Sequence, residues 1–240
     1  EISQHTDYEY EDLYLTKFSH DNKLIFGINH VLNINIYDFD KNVIIYEFKN
    51  EETRFHDLYN TIELNTNDSL ILYNGDLYCV RSGRKIHSFD KLTIYSAGIF
   101  MPPEDQILIN NQLWDLRTLK LLDYIEQFEN KVPKRTHNNN ILFGCSMHNQ
   151  DLNVRLYETL KGYNRESRFY GNSMGLYDSK SFFELNKYDF DSSILGVDTS
   201  RDVTKLAICK DDFLNIKTTY SFRIINVGSK STVIKFKIFL

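Results

Sequence analysis

One phrase recurs along this chain and limits what it can fold into: an apolar strand with an aromatic at its centre, a polar turn, then a second apolar strand. It reads Ile36-Tyr37-Asp38-Phe39-Asp40 followed by Val43-Ile44-Ile45-Tyr46, and returns as Leu77-Tyr78-Cys79-Val80-Arg81 followed by Lys85-Ile86-His87-Ser88-Phe89. Its clearest form is Leu113-Trp114-Asp115-Leu116-Arg117 followed by Lys120-Leu121-Leu122-Asp123-Tyr124. Leu176-Tyr177-Asp178 with Ser181–Leu185 gives a fourth copy, and Phe222–Val227 with Ser231–Phe236 a fifth. The centres Tyr37, Tyr78 and Trp114 lie 41 and 36 residues apart; Tyr177 follows 63 later and Ile224 a further 47.

Upstream of each phrase stand two more strand candidates around an Asp/Asn turn, as in Leu13–Phe18 with Lys23–Phe26, or Tyr59–Leu64 with Leu70–Tyr73. Four short strands per repeat of roughly 40–45 residues is the signature of WD-type β-propeller blades, which bury their sheet faces only by stacking on one another. The predicted fold class is therefore all-β: a WD-repeat β-propeller with about five blades present over residues 13–240, and Glu1–Asp12 as a connector. Closure of such a ring commonly takes about seven blades. The absence of an initiator Met and of a signal peptide points the same way, to a fragment. The fourth interval is long because a polar stretch at about 149–167 is inserted between strands.

Composition narrows the function classes. The chain is 42% hydrophobic and 14% aromatic, which suits packed strands rather than disorder, and its net charge of −5 runs against the basic footprint of a nucleic-acid binder. No apolar run approaches the ~20 residues of a membrane-spanning helix, so no membrane partner is expected. Cys79, Cys145 and Cys209 are widely spaced and form no CxxC pair, which reads as reduced thiols in the cytosol or nucleus.

The most informative strand is Leu113–Arg117. Alternation puts Trp114 and Leu116 on one side, Asp115 and Arg117 on the other, with apolar residues inward and polar ones outward. On packing grounds Trp114 fills space between blades and Asp115 fixes the next turn. Arg117 adds a fork of five donors suited to carboxylates and carbonyls at a protein interface.

On these residues the sequence resembles the WDxR box of substrate receptors that dock onto the adaptor of cullin-4 RING ubiquitin ligases. The runs Val80–Lys91, Gly98–Phe100 and Ile109–Thr118, with Phe18-Ser19-His20 and Ile36-Tyr37-Asp38 upstream, resemble the Vpr-binding protein family, closely from Leu13 to Leu122 and loosely beyond. That resemblance implies a non-enzymatic substrate receptor in the nucleus, with the cytoplasm as a second location. Its partners would be the ligase adaptor (of the damage-specific DNA-binding protein subunit one type), the cullin-4 complex and client proteins, with dimerisation through segments outside this chain. It also implies adaptor contact through Leu113, Trp114, Asp115, Leu116 and Arg117. Arg81, one repeat earlier, would project from the equivalent position of a neighbouring blade, although Tyr78 and Cys79 replace the Trp and Asp of that first box. The rival reading is a WD-repeat scaffold unrelated to ubiquitin ligases, in which Leu113–Arg117 is ordinary blade packing.

The sequence carries no recognisable enzymatic or metal motif. Gly171–Gly175 lacks the Lys and the strand-to-helix context of a phosphate loop, and no GxSxG elbow occurs. The seven His form neither HExxH nor a Cys/His zinc pattern; His20 reads as a turn residue and His87 as a strand residue. Asp38/Asp40 and Asp189/Asp191 sit at strand ends and read as Asx turns, Asn67-Asp68-Ser69 as a turn, and Lys131, Lys134 and Arg135 as a solvated loop. No cofactor, metal or catalytic residue is expected.

Overall fold

Short β-branched and aromatic runs, broken every few residues by Asn, Asp, Ser or Gly, dictate antiparallel meanders. In the computed structural model, residues 14–29, 33–49, 61–89, 97–136, 139–147, 170–192, 194–212, 219–226 and 234–239 are described. They form five four-stranded antiparallel sheets. The first holds β1 (Tyr14–Phe18), β2 (Leu24–Ile28), β3 (Ile34–Asp38) and β4 (Val43–Phe48); the second β5 (Ile62–Leu64), β6 (Leu70–Tyr73), β7 (Asp76–Cys79) and β8 (Arg84–Ser88). The third holds β9 (Gly98–Met101), β10 (Gln106–Ile109), β11 (Gln112–Asp115) and β12 (Lys120–Tyr124). A 3-10 turn, Glu126–Phe128, leads to the fourth sheet: β13 (Lys131–Arg135), β14 (Ile141–Met147), β15 (Tyr170–Asp178) and β16 (Glu184–Asp189). The fifth is β17 (Ile194–Thr199), β18 (Lys205–Asp212), β19 (Thr219–Asn226) and β20 (Ile234–Phe239). Strands follow chain order in every sheet, so the all-β, blade-based fold class expected from the repeats is the one observed. No described helix is long and apolar enough to cross a membrane.

The sheets group into two compact units, one with the first two sheets and one with the last three. In each unit the core lies between successive sheets. Phe26, Ile28, Ile34 and Ile36 of the first sheet pack on Ile62, Leu64, Ile71 and Tyr78 of the second. In the second unit, β14 shows how period-2 alternation lets one sheet serve two cores. Leu142, with Tyr177 of β15, packs back on Ile99, Leu108 and Leu113, while Phe143, with Leu176, packs forward on Ile194, Val197 and Leu206. Each such side chain contributes about 1.5–3 kcal/mol on burial, so these contacts outweigh surface ion pairs of about 0–1 kcal/mol.

Three expectations are corrected. Lys131, Lys134 and Arg135 form a strand, not a solvated loop; Pro133 is tolerated because β13 is the edge of its sheet. Ser181 to Phe183 lie before β16, which starts only at Glu184. The strand in Leu113–Arg117 ends at Asp115, with Leu116 and Arg117 in the turn that follows. Residues 1–12, the 149–167 stretch and 231–233 lie outside the described residues.

Candidate functional site

A meander places its first and third turns at one end of the sheet, here called the turn end. Between the first two strands of all five sheets one hydrogen bond recurs. The carbonyls of Ser19, Asn65, Met101, Thr136 and Ser200 accept the N–H groups of Asn22, Asp68, Glu104, Asn139 and Val203. Every one of those donors has a positive φ, from 54° to 74°. The third turn repeats as closely. Carbonyls of Asp38, Cys79, Asp115 and Asp178 accept the N–H groups of Asn42, Gly83, Leu119 and Phe182 at 2.8–2.9 Å, and these four also have positive φ. The two turns are then stitched together, since Phe39, Val80, Leu116 and Ser179 donate to the carbonyls of Lys23, Ser69, Asp105 and Asn140.

In the first, third and fourth sheets the last residue of the third strand acts as a cap for its turn. Asp115 Oδ1 accepts the N–H of Arg117 (2.9 Å), the N–H of Thr118 (2.7 Å) and the Thr118 hydroxyl (2.9 Å). Asp178 does the same for Lys180, Ser181 and the Ser181 hydroxyl, and Asp38 accepts from Lys41. The Asx turns expected at Asp38 and the turn-fixing role expected of Asp115 are therefore present. These donors hold all three carboxyls below their usual range: Thr118 leads for Asp115, Ser181 for Asp178 and Lys41 for Asp38. Asp115 is only 9% exposed, on the same face as buried Leu113, which reverses the expectation that it points outward. Trp114 takes the opposite face, half-buried, with its indole N–H toward Gln112 Oε1 at 3.3 Å.

Arg117, two residues past the cap, has a side chain 77% exposed, with Nη2 3.5 Å from Asp115 Oδ2. Such a contact in water holds the guanidinium only weakly, so its donors stay available. Arg81 occupies the same position of the same turn in its own sheet and is also exposed. Where the first box lacks Asp, the thiol of Cys79 takes the cap's place. Hydrogen bonds from the Ser82 hydroxyl and N–H, then from Arg81, lower its pKa. Gly83 supplies the left-handed residue at φ 64°, close under Phe48. Arg81 and Arg117 belong to different units, so their equivalence is one of place within the blade. Sequence reasoning passed over Lys180, which holds the matching position after Asp178, although the fourth copy of the phrase already aligned that Asp.

His20 lies in the first turn, and its N–H and Nδ1 meet the Asp68 carboxylate at 2.9 and 2.7 Å, tying two turns of the first unit. His87 lies on β8, Gly171–Gly175 within β15, and Asn67-Asp68-Ser69 in the turn before β6. No group of three His, Cys, Asp or Glu that could hold a metal occurs among the described residues. The turn end thus presents cations on rigid turns.

No family model matches the chain. Curated relatives do. Protein mahjong of Drosophila melanogaster is 31% identical over 146 residues, covering 59% of this chain and 8% of the relative. The DDB1- and CUL4-associated factor homolog 1 of Arabidopsis thaliana is 41% identical over 64 residues, 27% of this chain and 3% of the relative. Its Caenorhabditis elegans counterpart is 25% identical over 140 residues, 56% of this chain and 8% of the relative. The chain thus spans less than a tenth of the length of these proteins. Among solved structures, Kuenenia stuttgartiensis hydrazine synthase superposes with a TM-score of 0.68 over 100% of this chain and 69% of that one; at 9% identity the likeness is of fold alone. The likeness to the Vpr-binding protein family read in the sequence is therefore shown, at moderate identity and over part of the chain, by its curated relatives.

Proposed function

We propose that this chain is the adaptor-docking part of a substrate receptor for a cullin-4 RING ubiquitin ligase. The supporting observation is the pair of matched turns that present Arg81 and Arg117, exposed and two residues past a cap. The names of the relatives, factors associated with DDB1 and CUL4, supply the partner. In this reading the guanidinium groups bond to carboxylates or carbonyls of the adaptor, and Leu116 packs beside Arg117 at the contact. Asp115 acts indirectly, by holding the turn.

The receptor itself performs no chemistry. It brings a client protein near the ubiquitin-carrying subunits, and proximity raises the rate of transfer. Clients bind other surfaces of the whole protein, including the 149–167 stretch; the complex works in the nucleus, and dimerisation uses segments beyond this chain.

The test is adaptor binding by the full-length protein carrying Arg81→Ala, Arg117→Ala or both. A desolvated interface Arg is commonly a hot spot, so Arg117→Ala should weaken binding by about tenfold or more and the double variant further. Unchanged affinity in the double variant would remove the docking assignment. It would leave a WD-repeat scaffold of another kind.

A further inference from the structure

At the turn end of the second unit, charged side chains sort by role. Four of its carboxylates are engaged by neighbouring groups: Asp115 and Asp178 by their turns, the exposed Asp202 by Ser200 and Thr204, and Glu104 by Arg135 at 3.2 Å. The cations at those turns face water: Arg117 in the third sheet, Lys180 in the fourth and Arg201 in the fifth are all exposed. They share one end of the unit for topological reasons. The links from β12 to β13 and from β16 to β17 are short and leave from the far end, so each sheet repeats the direction of the last. The Arg135–Glu104 pair fixes this directly for the third and fourth sheets, since it joins the end of β13 to the β9–β10 turn.

The turn does not require a cation at this place. Asp40 occupies the same position, two residues past Asp38, in the first sheet, with the same carbonyl bond and the same positive φ at Asn42. The charge of Lys180 is therefore free of the fold's demands. An acidic chain that nonetheless exposes three cations on three successive sheets, with Asp115, Asp178, Asp202 and Glu104 already bonded to its own groups, offers a surface for an acidic protein face.

We propose that the adaptor contact extends from Arg117 across Lys180 to Arg201, so that the fourth and fifth blades carry part of the docking face. This rests on the docking reading above. Its partner is a patch of carboxylates on the adaptor; a polyanion such as duplex DNA is disfavoured by the net charge of −5. Rim charges of this kind act mainly on association rate and salt dependence.

The experiment measures adaptor affinity and association rate of the full-length protein at two ionic strengths. It uses Lys180→Glu/Arg201→Glu, the neutral Lys180→Gln/Arg201→Gln, and Lys187→Glu on the outer strand β16 as an off-face control. Charge reversal should weaken binding by about tenfold, mostly through slower association, and flatten the salt dependence; the neutral pair should lose about threefold and the control less than about twofold. Affinity within about twofold of the unaltered protein for the reversed pair overturns the extension. If Arg81→Ala/Arg117→Ala still abolishes binding in that case, only the extension falls; if that variant also binds normally, the docking reading falls with it. Loss of duplex DNA retention with adaptor binding intact overturns it too, in favour of a nucleic-acid surface. Equal melting temperatures across the set exclude misfolding as the cause.

Discussion

Cys79 shows how one residue can break a motif while the geometry survives. The turn it begins is held by its carbonyl, which Gly83 N–H reaches at 2.9 Å, and by the left-handed backbone of Gly83. What Cys79 gives up is the carboxylate that accepts two or three N–H and O–H bonds in the sister sheets. Restoring it by Cys79→Asp should raise the melting temperature by roughly 2–3 °C without moving Arg81, as differential scanning fluorimetry and unchanged adaptor affinity would verify; a lower melting temperature would mean that the thiol is the better cap here. The sequence pattern follows the side chain, so the first box reads as degenerate where the fold treats it as intact. Arg117 was misplaced for a related reason. Leu119 adopts φ 55°, a conformation for which leucine gives no signal, so nothing in Leu113–Arg117 announced that the strand stops at Asp115.

At the scale of the strand, the fourth sheet is the most specialised. Gly144 and Gly175 pair across β14 and β15, and aromatic rings fill the space their missing side chains leave. A Cβ on Gly144 would meet Phe128 at 3.1 Å, and one on Gly175 would overlap the Tyr177 hydroxyl. Tyr177 is fully buried; its hydroxyl receives Lys131 Nζ at 2.5 Å and lies 3.2 Å from Glu184, and burial raises its pKa while lowering that of Lys131. Gly175→Ala should therefore expel the ring from its bonds and cost about 2–4 kcal/mol in urea denaturation, whereas a cost below about 0.5 kcal/mol would show that the sheet can open locally. The strands themselves were legible because alternation and Asx turns mark them. This packing was not, because a glycine in a strand says only that something comes close, and Lys131 was hidden behind a Val-Pro pair that reads as loop.

For the molecule as a whole, the acids bonded within their turns make stability a matter of pH. Asp38, Asp115 and Asp178 are held below their ordinary range, and Asp202, held by Ser200 and Thr204, falls to about 2. A carboxyl more acidic in the folded chain than in the unfolded one stabilises the fold fully above the unfolded pKa of about 3.9. That contribution is lost as pH falls through the folded value. Thermal midpoints should accordingly fall between about pH 4 and 2, and less steeply in Asp115→Asn/Asp178→Asn. A fall already under way near pH 6 would point to imidazole groups instead.

The stitching of first to third turns has a further result for how this scaffold can vary. At that end the first turns of all five sheets and the third turns of the first four keep one spacing from acceptor to donor, which an added residue would break. The opposite end is bonded too, with Phe89, Ile125 and Phe190 donating to the carbonyls of Gly75, Asn111 and Asn172, but its lengths differ: it joins Tyr73 to Asp76 and Ile109 to Gln112 with two residues, while residues 148–169 stand between β14 and β15. Lengthening a loop there costs only about 0.6 kcal/mol per doubling. One end of each blade is thus a fixed address, and the other is where the chain can accept new sequence, a fused reporter included, without altering what the first end presents.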